Sequence, residues 1–288
     1  MDRVLIGDNQ FFGINHMSEE KARAQGMRFQ ETAAIIEVLD AAYAEGIKTF
    51  MCTTHERVAE VCTHFRDNRE KYPDYKFYPC MPYAHKYANA ATEHGVVGAF
   101  RTFLPDENAF SALLSGGISL ARKDVEGLAA LLIDAEMKMF SGLHTPVVLL
   151  QNVATDFLLG LGFDEAFRIF ADRIRKRYQA EPGFITMNAP RLLHTLQKIG
   201  IDNPIICTNI NKLGFRMSGD IEKYEQLMAH GECRLIAMSV FASGALPVRP
   251  ALEYVCSFPQ VKSIVFGASS RAHIGQTRQL IEQLTPRS

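Results

Sequence analysis

Short runs of Val, Ile, Leu and Phe recur along the chain, each followed by a stretch in which apolar residues return every three or four positions. The runs cover residues 4–6, 48–52, 77–81, 146–150, 184–187, 204–207, 234–238 and 263–266, which is strand length. None alternates strictly between apolar and polar, as expected where both faces of a parallel sheet are covered. Between them, Ile35, Val38, Leu39 and Ala42 lie at helical spacing, with Gly46 as a C-terminal cap. Val58, Val61, Cys62 and Phe65 repeat the pattern after the second run. After the fourth, one long helix is predicted, with Phe163, Ala166, Phe167, Phe170 and Ile174 inward and Arg173, Arg175, Lys176 and Arg177 on a solvated face. Further helices are predicted over 190–199, 220–230 and 250–258, and after Ser270.

Two segments depart from this rhythm. Residues 7–28 have no clear period, and Asp8-Asn-Gln-Phe-Phe-Gly-Ile-Asn-His-Met17 mixes polar groups with two aromatics. Long loops of this kind are often functional. Phe11 and Phe12 would suit a lid over a site, or equally packing beneath the loop. The second departure separates the third strand from the fourth, where 90–103 and 124–140 read as helix and Gly116-Gly117 divides them. Eight strand-helix units in about 250 residues describe an α/β fold, a (β/α)8 TIM barrel. It is read as a single domain over 1–288 with a helical insertion at 105–144, between strands 3 and 4. No G-x-G-x-x-G follows the first strand, which counts against a dinucleotide-binding open sheet.

Composition narrows the partners. Hydrophobic residues make up 47% and charged residues 22% of the 288, with 31 basic against 32 acidic side chains and no block of either sign. Nucleic acid and anionic membrane surfaces are therefore not expected as partners. No stretch approaches the roughly 18 apolar residues of a membrane span, and the N-terminus lacks a signal-peptide core, so a cytoplasmic protein is expected. The six cysteines are scattered without a C-x-x-C pair and read as free thiols.

In such a barrel chemistry sits at the C-terminal ends of the strands. The candidates there are Asp8, Gln10 and His16; Thr53, Thr54, His55 and Glu56; Tyr83, His85 and Lys86; Gln151 and Asn152; Asn188; and Asn209. His55 and His85 can act as acid or base near neutrality, and Lys86 can stabilise an oxyanion. Thr53 and Glu56, three apart at a helix start, read more simply as a capping box, and Asn188 and Asn209 as turn residues. Asp8, His16, His55 and His85 have no metal-ligand spacing, and no metal is expected. At the eighth strand exit, Gly267 and Ala268 permit a tight turn and Ser269 or Ser270 can cap the next helix. Free N–H groups, two hydroxyls and Arg271 then suit a phosphate or other anion.

Leu235-Ile-Ala-Met-Ser-Val-Phe-Ala-Ser-Gly-Ala-Leu246 resembles the seventh-strand segment of aldo-keto reductases. Ala251-Leu-Glu-Tyr-Val255 and Ser263-Ile-Val-Phe-Gly-Ala-Ser-Ser270 are similar to that family's last helix and strand; Asn188 and Ala41-Ala-Tyr-Ala-Glu-Gly-Ile-Lys-Thr-Phe50 also match its pattern. The resemblance implies the barrel, and a nicotinamide cofactor, NADP, held by Ser239, Ser243, Gly267, Ser269, Ser270 and Arg271. It also implies four catalytic positions that this chain fills differently. The family's Asp ending strand two falls on Cys52, its nearby Tyr has no counterpart, its Lys falls on Cys80 or Met81, and its His on Gln151 or Asn152. Three functional expectations follow. One is an enzyme on a phosphorylated or anionic small molecule, with His55, His85, Lys86 and Tyr83 as non-standard catalytic groups and Asp8, Gln10, Gln151, Asn152, Asn188 and Asn209 around the substrate. The others are a divergent NADP(H)-dependent oxidoreductase and a barrel that binds a ligand or partner without catalysis.

Overall fold

In the computed structural model, which describes residues 1–14, 18–83 and 118–285, eight parallel strands close on themselves in sequence order. They are β1 (Val4–Gly7), β2 (Thr49–Thr53), β3 (Lys76–Met81), β4 (Val147–Leu150), β5 (Glu181–Thr186), β6 (Ile205–Asn209), β7 (Arg234–Met238) and β8 (Val261–Phe266). Alternate residues divide between two cores, as the period of a strand requires. Leu5, Met51, Tyr78, Leu149, Cys207 and Ile236 are among those that fill the barrel, whereas Ile6, Phe50, Phe77, Val148, Ile206 and Leu235 pack in the layer shared with the helices. Burial on both faces explains the absence of alternation in the sequence.

The described helices are α1 (Glu19–Arg28), α2 (Thr32–Ala44), α3 (Glu56–Asp67), α4 (Ile118–Met137), α5 (Asn152–Leu161), α6 (Glu165–Arg173), α7 (Ala189–Lys198), α8 (Ile221–His230), α9 (Val248–Cys256) and α10 (Arg271–Leu284). The apolar stripes read from the sequence of α2 and α3 are the residues these helices bury. Gly46 takes the left-handed backbone, φ 84°, that a helix stop needs. Three expectations change. The single helix after β4 is two, because Gly162 at φ 68° ends α5 and α6 begins afresh at Glu165. The segment before residue 31 is not all loop, since a turn of 3-10 helix (Asn9–Phe12) and α1 occupy it. Thr53 forms no capping box with Glu56; it ends β2, and His55 caps α3 instead. Of the insertion, α4 corresponds to the 124–140 reading, and the 90–103 helix lies outside the described residues.

Barrel closure joins the two ends of the chain. β1 pairs with β8 in the register Val4 with Ile264 and Ile6 with Phe266. Ser263 Oγ donates to the Asp2 carbonyl at 2.6 Å, and Arg3 Nε to Thr285 Oγ1 at 2.9 Å. Below the apolar filling, Lys76 pairs with Asp2 at 2.7 Å and Arg234 with Glu181 at 2.6 Å. These pairs lie at the N-terminal end of the barrel, the end opposite to the one that carries the candidate site.

Candidate active site

The mouth of the barrel is built around Asp8. It follows β1, is 7% exposed, and its Oδ2 accepts from both the backbone N–H and the hydroxyl of Thr53, each at 2.7 Å. Thr53 is the last residue of β2, so two adjacent strand ends fix the carboxylate. Burial raises the Asp8 pKa above the ordinary carboxylate value, and the two bonds from Thr53 oppose that only in part. Tyr83, just beyond β3, is half-buried, and its phenol is pushed up by desolvation and then by the charge of Asp8, with Arg57 acting against both.

His55 stands beside this pair. Its ring stacks on Phe12 at 4.1 Å and meets Tyr83 edge-on at 5.2 Å. Its Nδ1 accepts from the Arg57 N–H at 3.1 Å, which caps α3 and places the ring proton on Nε2. Behind it, Thr54 donates to Glu136, a carboxylate from α4 that is 3% exposed. The insertion therefore contributes a buried acid that bonds the residue directly after β2. His16, His85 and Lys86 lie outside the described residues.

Residues 8–14 and 18–31 lie at this end of the barrel, and one guanidinium holds parts of both stretches. Arg57 donates to the carbonyls of Phe29 and Phe11 and lies 5.1 Å over the Phe12 ring. Phe11 is fully buried against Phe29 and Phe50, while Phe12 faces His55, so the two aromatics divide the roles of anchor and site wall.

On the far side of β1 lies the exit of β8. Ser270 caps α10, accepting from the His273 N–H at 3.4 Å. Arg271 turns away and pairs with Glu45 at the end of α2, Nε to Oε1 at 2.7 Å. The cation that reaches this turn is Arg28 from α1, whose Nη1 donates to Ser269 Oγ at 3.1 Å and Nη2 to the Ser269 carbonyl at 2.7 Å. Gln10 reaches the same turn from below. Its Nε2 donates to the Gly7 carbonyl at 2.8 Å, and its buried Oε1 has no hydrogen-bond partner among the described residues. A Cβ at Gly267 would stand 2.4 Å from that oxygen, so a larger residue here would push the Gln10 amide aside. At the neighbouring exit of β7, Ser239 and Ser243 both hold positive φ, 55° and 57°.

The remaining candidates also make contacts within the scaffold. Asn188 Oδ1 caps α7 by accepting from the Arg191 N–H, and Asn209, 1% exposed, donates to the Arg216 carbonyl at 2.9 Å. Gln151 and Asn152 begin α5, half-buried.

No known family's sequence profile matches the chain, and no curated protein matches it in sequence. Solved structures do. A putative aldo-keto reductase from Pseudomonas aeruginosa superimposes with a TM-score of 0.61 over 98% of this chain and 90% of that one, at 13% identity. A putative 2,5-diketo-D-gluconic acid reductase B gives 0.56 over 98% and 87%, at 11% identity. An aldo/keto reductase from Brucella melitensis gives 0.55 over 99% and 90%, at 9% identity. The fold is an aldo-keto-reductase-like barrel.

Within an aldo-keto-reductase-like barrel the four expected catalytic positions take on a different meaning. Cys52 faces the helix layer and Cys80 the barrel interior; both thiols are buried, and desolvation holds their pKa values far above the usual range. The acid of the mouth is supplied by β1, as Asp8, and a phenol by the β3 exit, as Tyr83. Asp8 follows a strand next to β2, so a comparison strand by strand does not bring it beside Thr53. Arg28 and Glu136 also go unmarked in the sequence, sitting in segments with no strand exit.

Proposed function

We propose that the protein is a small-molecule oxidoreductase that interconverts a carbonyl compound and its alcohol with NADP(H). The observation that carries this reading is the grouping of Asp8, Tyr83 and His55 at the mouth of an aldo-keto-reductase-like barrel. A nicotinamide dinucleotide, when bound, supplies or accepts the hydride. The residues beside it fit such a group: the α10 N-terminus, Ser269, Ser270 and Arg28 suit a phosphate, and Ser239 and Ser243 flank it at the next strand exit.

The chain's own groups handle the proton. A phenol is protonated at neutral pH and is a stronger acid than an alcohol, so Tyr83 can give a proton to a developing alkoxide, though burial and the neighbouring carboxylate raise its pKa and weaken it as a donor. Asp8, held by Thr53, fixes the local charge that sets the phenol's acidity. His55 presents Nε2–H while its other nitrogen is held by the helix cap, which makes it a hydrogen-bond donor for the carbonyl oxygen. Phe12, stacked on His55, shields that ring on one face.

The test is NADPH fluorescence on titration with the protein, followed by turnover across a panel of aldehydes and ketones. Tyr83→Phe should leave NADPH binding intact and lower kcat by about 100-fold or more, the usual contribution of a positioned acid. Absence of any NADPH signal at saturating protein would overturn the reading.

A further inference from the structure

The last turns of α4 bury one face, and an acid interrupts it. Ile133 and Met137, four apart, are 7% and 4% exposed and pack into the layer between helices and strands. Glu136 stands on the same face, three residues after Ile133, where packing calls for another apolar side chain, and it is 3% exposed. A carboxyl group is costly to take out of water, and hydrogen bonds are what offset that cost. One of them comes from Thr54, itself fully buried, whose hydroxyl donates to Glu136 Oε2. Asp134, two residues earlier and on the opposite side of the helix, serves a different neighbour. Its Oδ1 accepts from Tyr178 at 2.6 Å and from Arg173 Nε, at the end of α6, at 3.2 Å. α4 thus turns one acid outward to α6 and one inward to the end of β2.

Thr54 is the middle one of three residues with separate duties. Thr53 bonds Asp8 through its N–H and its hydroxyl, and His55 caps α3 with Nδ1 while its ring meets Phe12 and Tyr83. A single restricted torsion separates a threonine hydroxyl from its main chain, so an acceptor that pins the oxygen also pins the backbone at that residue. We infer that Glu136 is a positioning residue for the mouth of the barrel: by holding Thr54 it fixes the turn out of β2, and with it the directions in which Thr53 meets Asp8 and His55 presents its ring. Placement of this kind matters to rate, since a shift of about 1 Å in a catalytic group costs on the order of 100-fold. For its kinetic consequence the inference rests on the proposed carbonyl chemistry; for its structural one it rests on the hydrogen bonds alone.

The test compares variants of the full chain, with melting temperatures to report folding. Glu136→Ala and Thr54→Val should each lower kcat by about tenfold or more and leave KM for NADPH within about twofold of the wild type. The double variant should fall no further than the worse single one, because both changes remove the same bond. Glu136→Gln, which keeps an oxygen to accept from Thr54, should recover most of kcat. Asp134→Asn disturbs the outer anchor of the same helix and should lower the melting temperature with kcat unchanged. The variants are also read without substrate, by NMR: amide exchange at Thr53 should quicken and the ring nitrogen resonances of His55 should move in Glu136→Ala and Thr54→Val, and neither should change in Asp134→Asn. Where Glu136→Ala does not fold, Thr54→Val decides, with Thr54→Ser as its rescue. The inference is overturned by unchanged Thr53 exchange in the folded variants, by additive losses in the double one, or by an equal fall of kcat in Asp134→Asn. If the wild type turns over no carbonyl compound while Thr53 and His55 still respond, the carbonyl reading falls and this one stands. Turnover that is indifferent to Glu136 and Thr54 does the reverse.

Discussion

Asp8 has its carboxylate buried between two strand ends, and the direction of its pKa decides what its removal should do. Burial raises the folded-state value above the unfolded one, so the folded chain binds this proton more tightly. Its contribution is therefore favourable below the unfolded pKa and is lost as pH rises through the folded one. At neutral pH the charged form is a cost to stability. Asp8→Asn keeps an oxygen to accept from Thr53 and removes that cost. Thermal unfolding followed from acid to neutral pH should show the variant gaining on the wild type as pH rises, while turnover falls. A variant less stable than the wild type at neutral pH, with the gap widening as pH rises, would show that the carboxylate contributes to folding instead. The position of Asp8 was legible in the sequence because it leaves a strand of a predicted barrel. Its partnership with Thr53 was not, since nothing local links residues 45 apart.

At the level of elements, the segment over the mouth is held by few groups. Arg57, with two backbone carbonyls and the Phe12 ring, is the largest of them. Arg57→Ala should cost about 1–3 kcal/mol through its charged hydrogen bonds, and hydrogen exchange should rise over residues 9–30 while the strands stay protected. Uniformly faster exchange would mean that Arg57 supports the whole barrel. The sequence was a poor guide to this segment for a physical reason. α1 is rich in charged residues and buries almost nothing, so it leaves no apolar stripe to read, whereas α2 and α3 bury the residues their spacing marks. The break at Gly162 was missed for the opposite reason, since apolar residues at helical spacing continue across it.

Across the whole molecule, the barrel was readable because two-sided burial forces eight apolar runs at regular intervals, and no other common architecture asks for that number. The strand exits followed from it, and with them His55, Tyr83 and Asp8. What escaped was every contact made by closing the ring. Arg28 reaches Ser269 across 241 positions and Arg271 reaches Glu45 across 226, so the anion-facing cation could not be told from its neighbour by spacing. Closure also brings Arg3 within hydrogen-bond reach of Thr285 and pairs the first strand with the last. A ring of this kind has no privileged starting point. Joining the ends by a short flexible linker and reopening the chain at the exposed turn before β6, near Asp202 and Asn203, should give a circular permutant with a melting temperature and ligand affinity close to those of the parent. A permutant that fails to fold would show that the order in which the strands are made, and not only the ring they complete, matters to this protein.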